Sequence, residues 1–116
     1  INSSIMYHYK ATLNRIIDGD TIDVNIDLGF DVKIKQRVRL YGINTPEVRT
    51  KDLKEKEKGI EATEYLKKIL PKNFIIQTIL NKRGKYGRVL GIIWVEEENI
   101  NEKMVNEGYA IRYDTR

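Results

Sequence analysis

Apolar and polar residues alternate most regularly in two neighbouring segments of the chain, 21–28 and 32–41. Successive side chains of a strand point to opposite faces, so this period of two predicts two strands, each with one face in water. The inward positions are Ile22, Val24, Ile26, Leu28, Ile34, Val38 and Leu40. Gly29, Phe30 and Asp31 separate the two strands and predict a turn. The pair is therefore expected to form a two-strand meander.

Three further strands are predicted, at residues 9–17, 74–80 and 88–95. Between the third and fourth strands, small and apolar residues follow helical spacing from Gly59 to Leu70, and Pro71 ends the helix. Residues 49–58, which are charged and lack glycine, are expected to be a loop.

A short second helix is expected at 99–106, with Asn99 as its N-cap and Gly108 at its C-terminal end. The predicted fold class is mainly β with helices (α+β). It is a five-stranded OB-fold barrel with one helix between strands 3 and 4 and one short C-terminal helix. Residues 1–5 are expected to be either a leftover segment ahead of a possible start at Met6 or a disordered leader. Residues 6–116 are expected to form a single domain. Barrels of this type bind oligonucleotides or oligosaccharides, but a fold alone does not define a reaction.

Composition narrows the chemistry that the chain can perform. The sequence has no cysteine, which excludes disulfides, thiolate zinc sites and a thiol nucleophile. His8 is its single histidine, so catalysis by a Ser-His-Asp triad or by a histidine-bound metal is not expected. Any metal should therefore be held by oxygen, which favours calcium, magnesium or manganese.

The charge favours a polyanionic partner, although only weakly. Lysine and arginine number 21 against 17 acidic residues, which gives a net charge of +4 and a pI of about 9.2. No apolar run approaches the roughly 20 residues that cross a membrane, so no membrane partner is expected. A monomer that binds nucleic acid is the expected state.

Asp20 shares its strand parity with Ile22 and Val24 and should point into the barrel. An inward carboxylate is costly unless it is paired, hydrogen-bonded or bound to a metal. The alternative interpretation is that Asp18, Gly19 and Asp20 form an ordinary turn, in which aspartate and glycine are favoured residues.

The segment Asn44-Thr45-Pro46-Glu47 ends the third predicted strand. Pro46 makes the segment rigid, while Asn44 offers an amide oxygen and Thr45 a backbone carbonyl to a ligand. Glu47 could ligate a metal or activate a water molecule. The alternative is a strand-to-loop turn that carries an ordinary surface glutamate.

Arg39 and Arg88 supply cationic chemistry. By parity Arg39 lies among solvated lysines, which allows an interpretation as surface charge. Arg88 shares parity with the apolar residues Leu90, Ile92 and Trp94, so it should enter a buried face and require an anionic partner. Two guanidinium groups suit a phosphate that gains charge in its transition state.

Lys85 and Tyr86 precede Arg88, and Tyr113 lies near the C-terminus. Basic groups interleaved with aromatic rings favour single-stranded nucleic acid, because bases stack on the rings and phosphates pair with the cations. Packing in the core is the alternative role for each tyrosine.

Three ordered motifs resemble the staphylococcal nuclease (thermonuclease) family, and in particular its short phage and bacterial members. They are Ile17-Asp18-Gly19-Asp20-Thr21, Arg39 eight residues before Glu47 of Thr-Pro-Glu, and Lys85-Tyr86-Gly87-Arg88. The stretch 104–110 is similar as well. The resemblance implies an OB-fold barrel and a calcium-dependent phosphodiesterase that cleaves DNA and RNA and leaves 3′-phosphates.

The resemblance also implies a role for each matching residue. Asp20, Asn44 and Thr45 would hold the metal, with Asn44 standing where the archetype has aspartate. The exchange removes one negative charge, so weak calcium affinity is expected, with magnesium or manganese as alternatives. The proposed catalytic residues are Arg39, Glu47 and Arg88, and the proposed substrate-binding residues are Lys85, Tyr86 and Tyr113.

The sequence therefore predicts a metal-dependent nuclease that prefers single-stranded or frayed DNA or RNA. Glu47 would be the general base acting through water, and Arg39 and Arg88 would stabilise the phosphoryl group. Two rival classes are a nucleic-acid-binding OB module without catalysis and a protein-interaction module with a vestigial site. The presence of Glu47, Arg39 and Arg88 argues against both, because binding alone needs no carboxylate beside a phosphate, and a carboxylate there repels the ligand.

Overall fold

The computed structural model describes residues 7–83 and 89–113, with only the backbone described at residues 80–83. Eight strands and two helices occur in this part of the chain. They are β1 (His8–Asp18), β2 (Thr21–Asp27), β3 (Lys33–Leu40), β4 (Ile43–Asn44), α1 (Leu53–Ile69), β5 (Asn73–Arg83), β6 (Val89–Val95), β7 (Glu98–Asn99), α2 (Ile100–Asn106) and β8 (Ile111–Arg112). The predicted leader at residues 1–5 lies outside the described residues.

The five long strands form a closed mixed barrel, which confirms the predicted fold class. The sheet order is β3-β2-β1-β5-β6-β7 with antiparallel neighbours. A parallel pairing of β3 with β6, Val38 to Leu40 against Val89 to Gly91, joins the two sides of the barrel. Helix α1 lies between the third and fourth long strands in chain order, as expected. The short strands β4 and β8 pair separately.

The barrel interior confirms most of the predicted inward positions. Its fully buried large side chains are Ile22, Val24, Val38, Leu40, Ile43, Leu66, Ile76, Leu90, Ile93, Ile100 and Met104. Leu28 and Ile34 were also predicted to point inward, and both are exposed. In the described residues β3 pairs with β6 only through its last three residues. The half of β3 that holds Ile34 therefore has no pairing with β6.

Helix α1 begins earlier than the sequence pattern indicated, so the predicted loop at 49–58 is wrong from Leu53 onward. Asp52 caps the helix, because its Oδ1 accepts hydrogen bonds from the backbone N–H groups of Lys54 at 3.0 Å and Glu55 at 3.3 Å. The first six helical residues are exposed and leave no apolar stripe to signal a helix. The helix ends at Ile69, close to the predicted stop at Pro71.

Helix α2 begins after the predicted cap Asn99, whose Oδ1 accepts a hydrogen bond from Glu102 N at 3.1 Å. Its buried Asn101 then fixes the helix across the seam between β3 and β6. The Asn101 amide donates to Tyr41 O at 2.9 Å and Gly91 O at 3.0 Å, and its Oδ1 accepts from Ile93 N at 3.1 Å. This network holds the chain in place just before the candidate site residues 44–47.

Among the described residues, the helices are too short and too polar to cross a membrane.

Candidate active site

The β1–β2 turn, the end of β3 and the segment after β4 meet at Asp20. The residue is only 7% exposed, as its parity predicted. Its Oδ2 accepts a hydrogen bond from Thr45 N at 3.0 Å and lies 2.7 Å from Arg39 Nη1. Its Oδ1 accepts from Thr21 Oγ1 at 3.1 Å. The buried carboxylate is thus compensated by one cation and two hydrogen-bond donors.

Arg39 is 8% exposed, so its interpretation as surface charge is wrong. Contacts with Asp20 and with Asn44 of β4 accompany this burial, although Arg39 has the same strand parity as the exposed Lys33 and Lys35. Arg39 Nη2 donates a hydrogen bond to Asn44 Oδ1 at 3.1 Å. Its Nη1 is buried and close to Asp20, yet among the described residues it has no acceptor in hydrogen-bond alignment. The ion pair with Asp20 therefore holds this nitrogen in a buried position at the site.

Helix α1 lies against the site at two glycines, Gly59 of the helix and Gly19 of the β1–β2 turn, and the sequence interpretation gave Gly59 no part in the site. A Cβ atom on Gly59 would lie 2.7 Å from Pro46 O and 2.8 Å from Glu47 O, so the helix backbone lies directly against this segment. A Cβ on Gly19 would lie 2.9 Å from Ala62 Cβ. The helix thus fixes the backbone at Glu47, while the Glu47 residue itself is exposed to solvent.

A second carboxylate, Asp18, lies beside Asp20 and was missed as a site residue. Its Oδ1 accepts a hydrogen bond from Asp20 N at 3.1 Å. Burial raises the pKa of Asp18 from 3.8 to about 6, and the adjacent Asp20 carboxylate adds to the rise. The Asp-Gly-Asp sequence was a signal for this pair, since two carboxylates on a tight turn must lie close together.

Asp20 and Asn44 present oxygen atoms on the two sides of the Arg39 guanidinium, and oxygen is the donor type that calcium and magnesium prefer. The described residues include no cluster of three or more histidine, aspartate or glutamate side chains spaced for a metal. Arg39 already contacts both Asp20 and Asn44, and a resident cation would compete with its guanidinium for these oxygens.

Tyr113 lies on a cleft next to the segment that carries Asn44. Its backbone N–H donates to Gly42 O at 2.8 Å, and strand β8 just before it pairs with β4. The cleft has a volume of about 540 Å³, and its lining includes Tyr41, Asn101, Glu102, Arg112 and Tyr113.

Not every predicted site residue can be placed. The structure brings together Asp20, Arg39, Asn44 and Thr45, and holds the backbone of Glu47 against α1. The predicted residues Lys85, Tyr86 and Arg88 lie outside the described residues.

The fold and the site define the class of protein, which is a closed OB-type barrel with a buried carboxylate–guanidinium pair at the ends of its strands. The model of the family "Staphylococcal nuclease homologue" matches residues 37–116. The chain belongs to this family, and the resemblance drawn from its motifs is confirmed.

Several nucleases are similar to the chain over most of its length. The thermonuclease of Staphylococcus hyicus is 33% identical over 97 residues, which are 83% of this chain and 54% of the relative. The thermonuclease of Staphylococcus intermedius is 35% identical over 99 residues, 84% and 56% of the two chains. Endonuclease YhcR of Bacillus subtilis is 30% identical over 113 residues, 90% of this chain but 9% of its own. The chain thus spans about half the length of the two thermonucleases.

Proposed function

We propose that this chain is a metal-dependent nuclease that hydrolyses phosphodiester bonds of DNA, RNA or both. The observation that carries the proposal is the buried Asp20–Arg39 ion pair, which lies beside the segment that ends in Glu47. A guanidinium that buried partners hold in one orientation is suited to stabilise the charge on a phosphate oxygen. Relatives named thermonuclease and endonuclease support the same reaction class.

Arg39 binds a non-bridging oxygen of the scissile phosphate and stabilises the charge that develops there. Asp20 holds the guanidinium in place by its 2.7 Å contact, and Asn44 Oδ1 fixes the second nitrogen. The role of Arg88 as the second half of this clamp rests on the family resemblance.

Glu47 takes a proton from the attacking water. Its exposure gives it access to solvent water, and the Gly59 contact fixes the backbone from which it extends. General bases of this kind commonly contribute about 100- to 10,000-fold to the rate.

Asp20, Asn44 and the Thr45 carbonyl would hold a divalent cation, with calcium expected first. When bound, the cation would supply Lewis-acid polarisation of the phosphate. Since Asn44 contributes no formal charge, the affinity of the site for the cation should be weak in the absence of substrate. Tyr113, Lys85 and Tyr86 are proposed to contact neighbouring nucleotides. The site is assembled within one chain, and a monomer is the proposed active form.

The test is cleavage of end-labelled single-stranded DNA and RNA with calcium, magnesium or manganese, with and without a chelator. We expect cleavage that needs millimolar divalent ion and stops on chelation. Tight nucleic-acid binding with no cleavage under any ion would overturn the proposal and favour a binding module. Activity that persists with full rate in chelator would contradict the metal dependence.

A further inference from the structure

The far end of the β2–β3 hairpin carries an apolar tip that packs against little of the fold. Phe30 is fully exposed to solvent, and the neighbouring Leu28, Val32 and Ile34 are exposed as well. Phe30 also adopts a φ of +54°, a left-handed conformation that is unfavourable for a bulky aromatic residue. Packing in the core does not explain why position 30 carries an aromatic ring. The backbone holds this ring outward at a conformational cost.

A row of cations connects this tip to the candidate active site. Lys33, Lys35, Arg37 and Arg39 occupy alternate positions of β3 and therefore share one face of the strand. Alternate residues of a strand are about 6.6 Å apart, a spacing comparable to that of successive phosphates in an extended single strand. The row ends at Arg39, beside Asp20.

The acidic residues of β2 only partly neutralise this row. Asp23 lies opposite Arg37 and forms a two-point ion pair with it, at 2.8 and 3.1 Å. Asp27 lies opposite Lys33, but its Oδ1 accepts a hydrogen bond from Gly29 N at 2.8 Å. Lys33 and Lys35 are exposed and form no ion pair with any residue that the structure describes. Two cations therefore remain for an external anion.

We propose that a single strand of nucleic acid lies along the outer face of β3, with its phosphates on Lys33 and Lys35. One base stacks on Phe30, and the strand continues to Arg39. The inference rests on the proposed nuclease function and names the path by which substrate reaches that site. Cations at phosphate spacing and an aromatic ring for a base are the two features that single-strand binding needs.

Other occupants are disfavoured by the same residues. A second copy paired through the open edge of β3 would bring lysines and arginines of the two strands together, and like charges across a sheet are destabilising. The row from Lys33 to Arg39 covers six residue-to-residue steps, or about 20 Å. A substrate should therefore need about four nucleotides on one side of the scissile phosphate to use the whole path.

The first test measures binding of fluorescein-labelled oligothymidylates of two and eight nucleotides by anisotropy, in chelator so that no cleavage occurs. Lys35→Gln should weaken binding of the eight-nucleotide strand several-fold and reduce its salt slope by about 0.7, the value for one phosphate contact on a single strand. Binding of the two-nucleotide strand should not change. The matched control is Lys68→Gln, an exposed lysine of α1, which should leave both unchanged. Equal effects of the two substitutions would overturn the path.

The second test separates the ring from the stability of its turn. Phe30→Asn should preserve or raise the melting temperature, because asparagine tolerates a positive φ. It should also weaken binding of the eight-nucleotide strand by about five- to 100-fold, the range for loss of one stacked base. Phe30→Trp should bind as wild type does. Wild-type affinity in Phe30→Asn would overturn the proposal, as would a wild-type protein that dimerises through this hairpin and ignores the oligonucleotides.

The tests also separate this inference from the proposed reaction. No cleavage under any ion, with the Lys35 and Phe30 effects intact, would reject the nuclease and retain the path. Cleavage of strands of both lengths with the same KM in every variant would retain the nuclease and reject the path.

Discussion

The two ends of β3 carry the same kind of residue in different environments. At one end Arg39 is buried, pairs with Asp20 and donates a hydrogen bond to Asn44 of β4. At the other end Lys33 and Lys35, on the same face of the strand, are exposed beside an unpacked hairpin tip. Strand parity assigns all three to one side, but the elements that pack above the strand decide which cation is buried.

This difference separates two kinds of electrostatic effect. The Arg39–Asp20 pair lies in an environment of low polarity, where charge interactions are strong and the loss of one partner is costly. Lysines at the hairpin end are solvated, and salt screens them. Substitutions near Arg39 should therefore change catalysis and stability, whereas those near Lys35 should change salt-dependent affinity.

Among substitutions that compare the two ends of β3, the largest effect is expected at Arg39. Arg39→Lys keeps a cation for Asp20 but loses the planar donor geometry, so the cleavage rate should fall about 100- to 1,000-fold. Arg39→Ala should also lower the free energy of unfolding by about 3–5 kcal/mol, because Asp20 would remain buried without its partner. Cleavage rates and urea unfolding measure the two effects.

Arg15→Lys is the control for this substitution, since Arg15 is an exposed arginine of β1. It should leave the rate and the stability near wild type. An Arg39→Lys variant with full activity would reject the phosphate contact.

The sequence predicted the barrel because alternation matches burial in β2, whereas Ile34 and Arg39 of β3 depart from that pattern. The sequence prediction failed at residues 53–58, which are helical but exposed and so show no apolar stripe. The start of their helix is marked by the Asp52 cap. At the site, motifs identified Asp20, Arg39, Asn44 and Thr45. The contacts of Gly59 with Pro46 and Glu47 join segments that are distant in sequence, so no local pattern could show them.

Gly59→Ala should have the next largest effect on activity. Alanine favours a helix interior by about 1 kcal/mol, so helix propensity alone predicts stabilisation. Its Cβ would instead lie 2.7 Å from Pro46 O, and the segment that carries Glu47 must move. A displacement of about 1 Å can cost about 100-fold in rate.

The measurement is kcat, with Lys58→Ala, an exposed neighbour on the same helix, as the control. Wild-type kcat together with higher stability in Gly59→Ala would show that this contact does not position the site.

Asn44→Asp should tighten calcium binding, because it adds a formal charge to the donor set. The new carboxylate would also face Arg39 Nη2, now 3.1 Å from Asn44 Oδ1, and strengthen that contact. Turnover need not rise, since a more neutralised cation is a poorer Lewis acid. Calorimetric titration of both proteins, with and without a bound nucleotide, measures the change. Equal calcium affinity in both would place the ion elsewhere.

Asp18→Asn should have the smallest effect, and it should appear in stability. The pKa of Asp18 is about 6 in the folded protein and 3.8 ordinarily, so the fold retains its proton more strongly than the unfolded chain does. That contribution is fully present below pH 3.8 and is lost as the pH rises through about 6.

The wild type should therefore lose stability relative to Asp18→Asn between pH 4 and pH 7, by about 1 kcal/mol after solvent screening is allowed for. Urea unfolding of both proteins at the two pH values measures this. A difference that does not change with pH would rule out the raised pKa.

The most direct test of the account is single-turnover cleavage of a labelled oligonucleotide by Glu47→Gln, measured beside its binding affinity. Glu61→Gln, an exposed glutamate of α1, is the matched control and should behave as wild type. If Glu47 is the general base, Glu47→Gln should cleave about 100- to 10,000-fold more slowly and bind the oligonucleotide as tightly or more tightly. A cleavage rate that remains close to the wild-type rate would contradict the account.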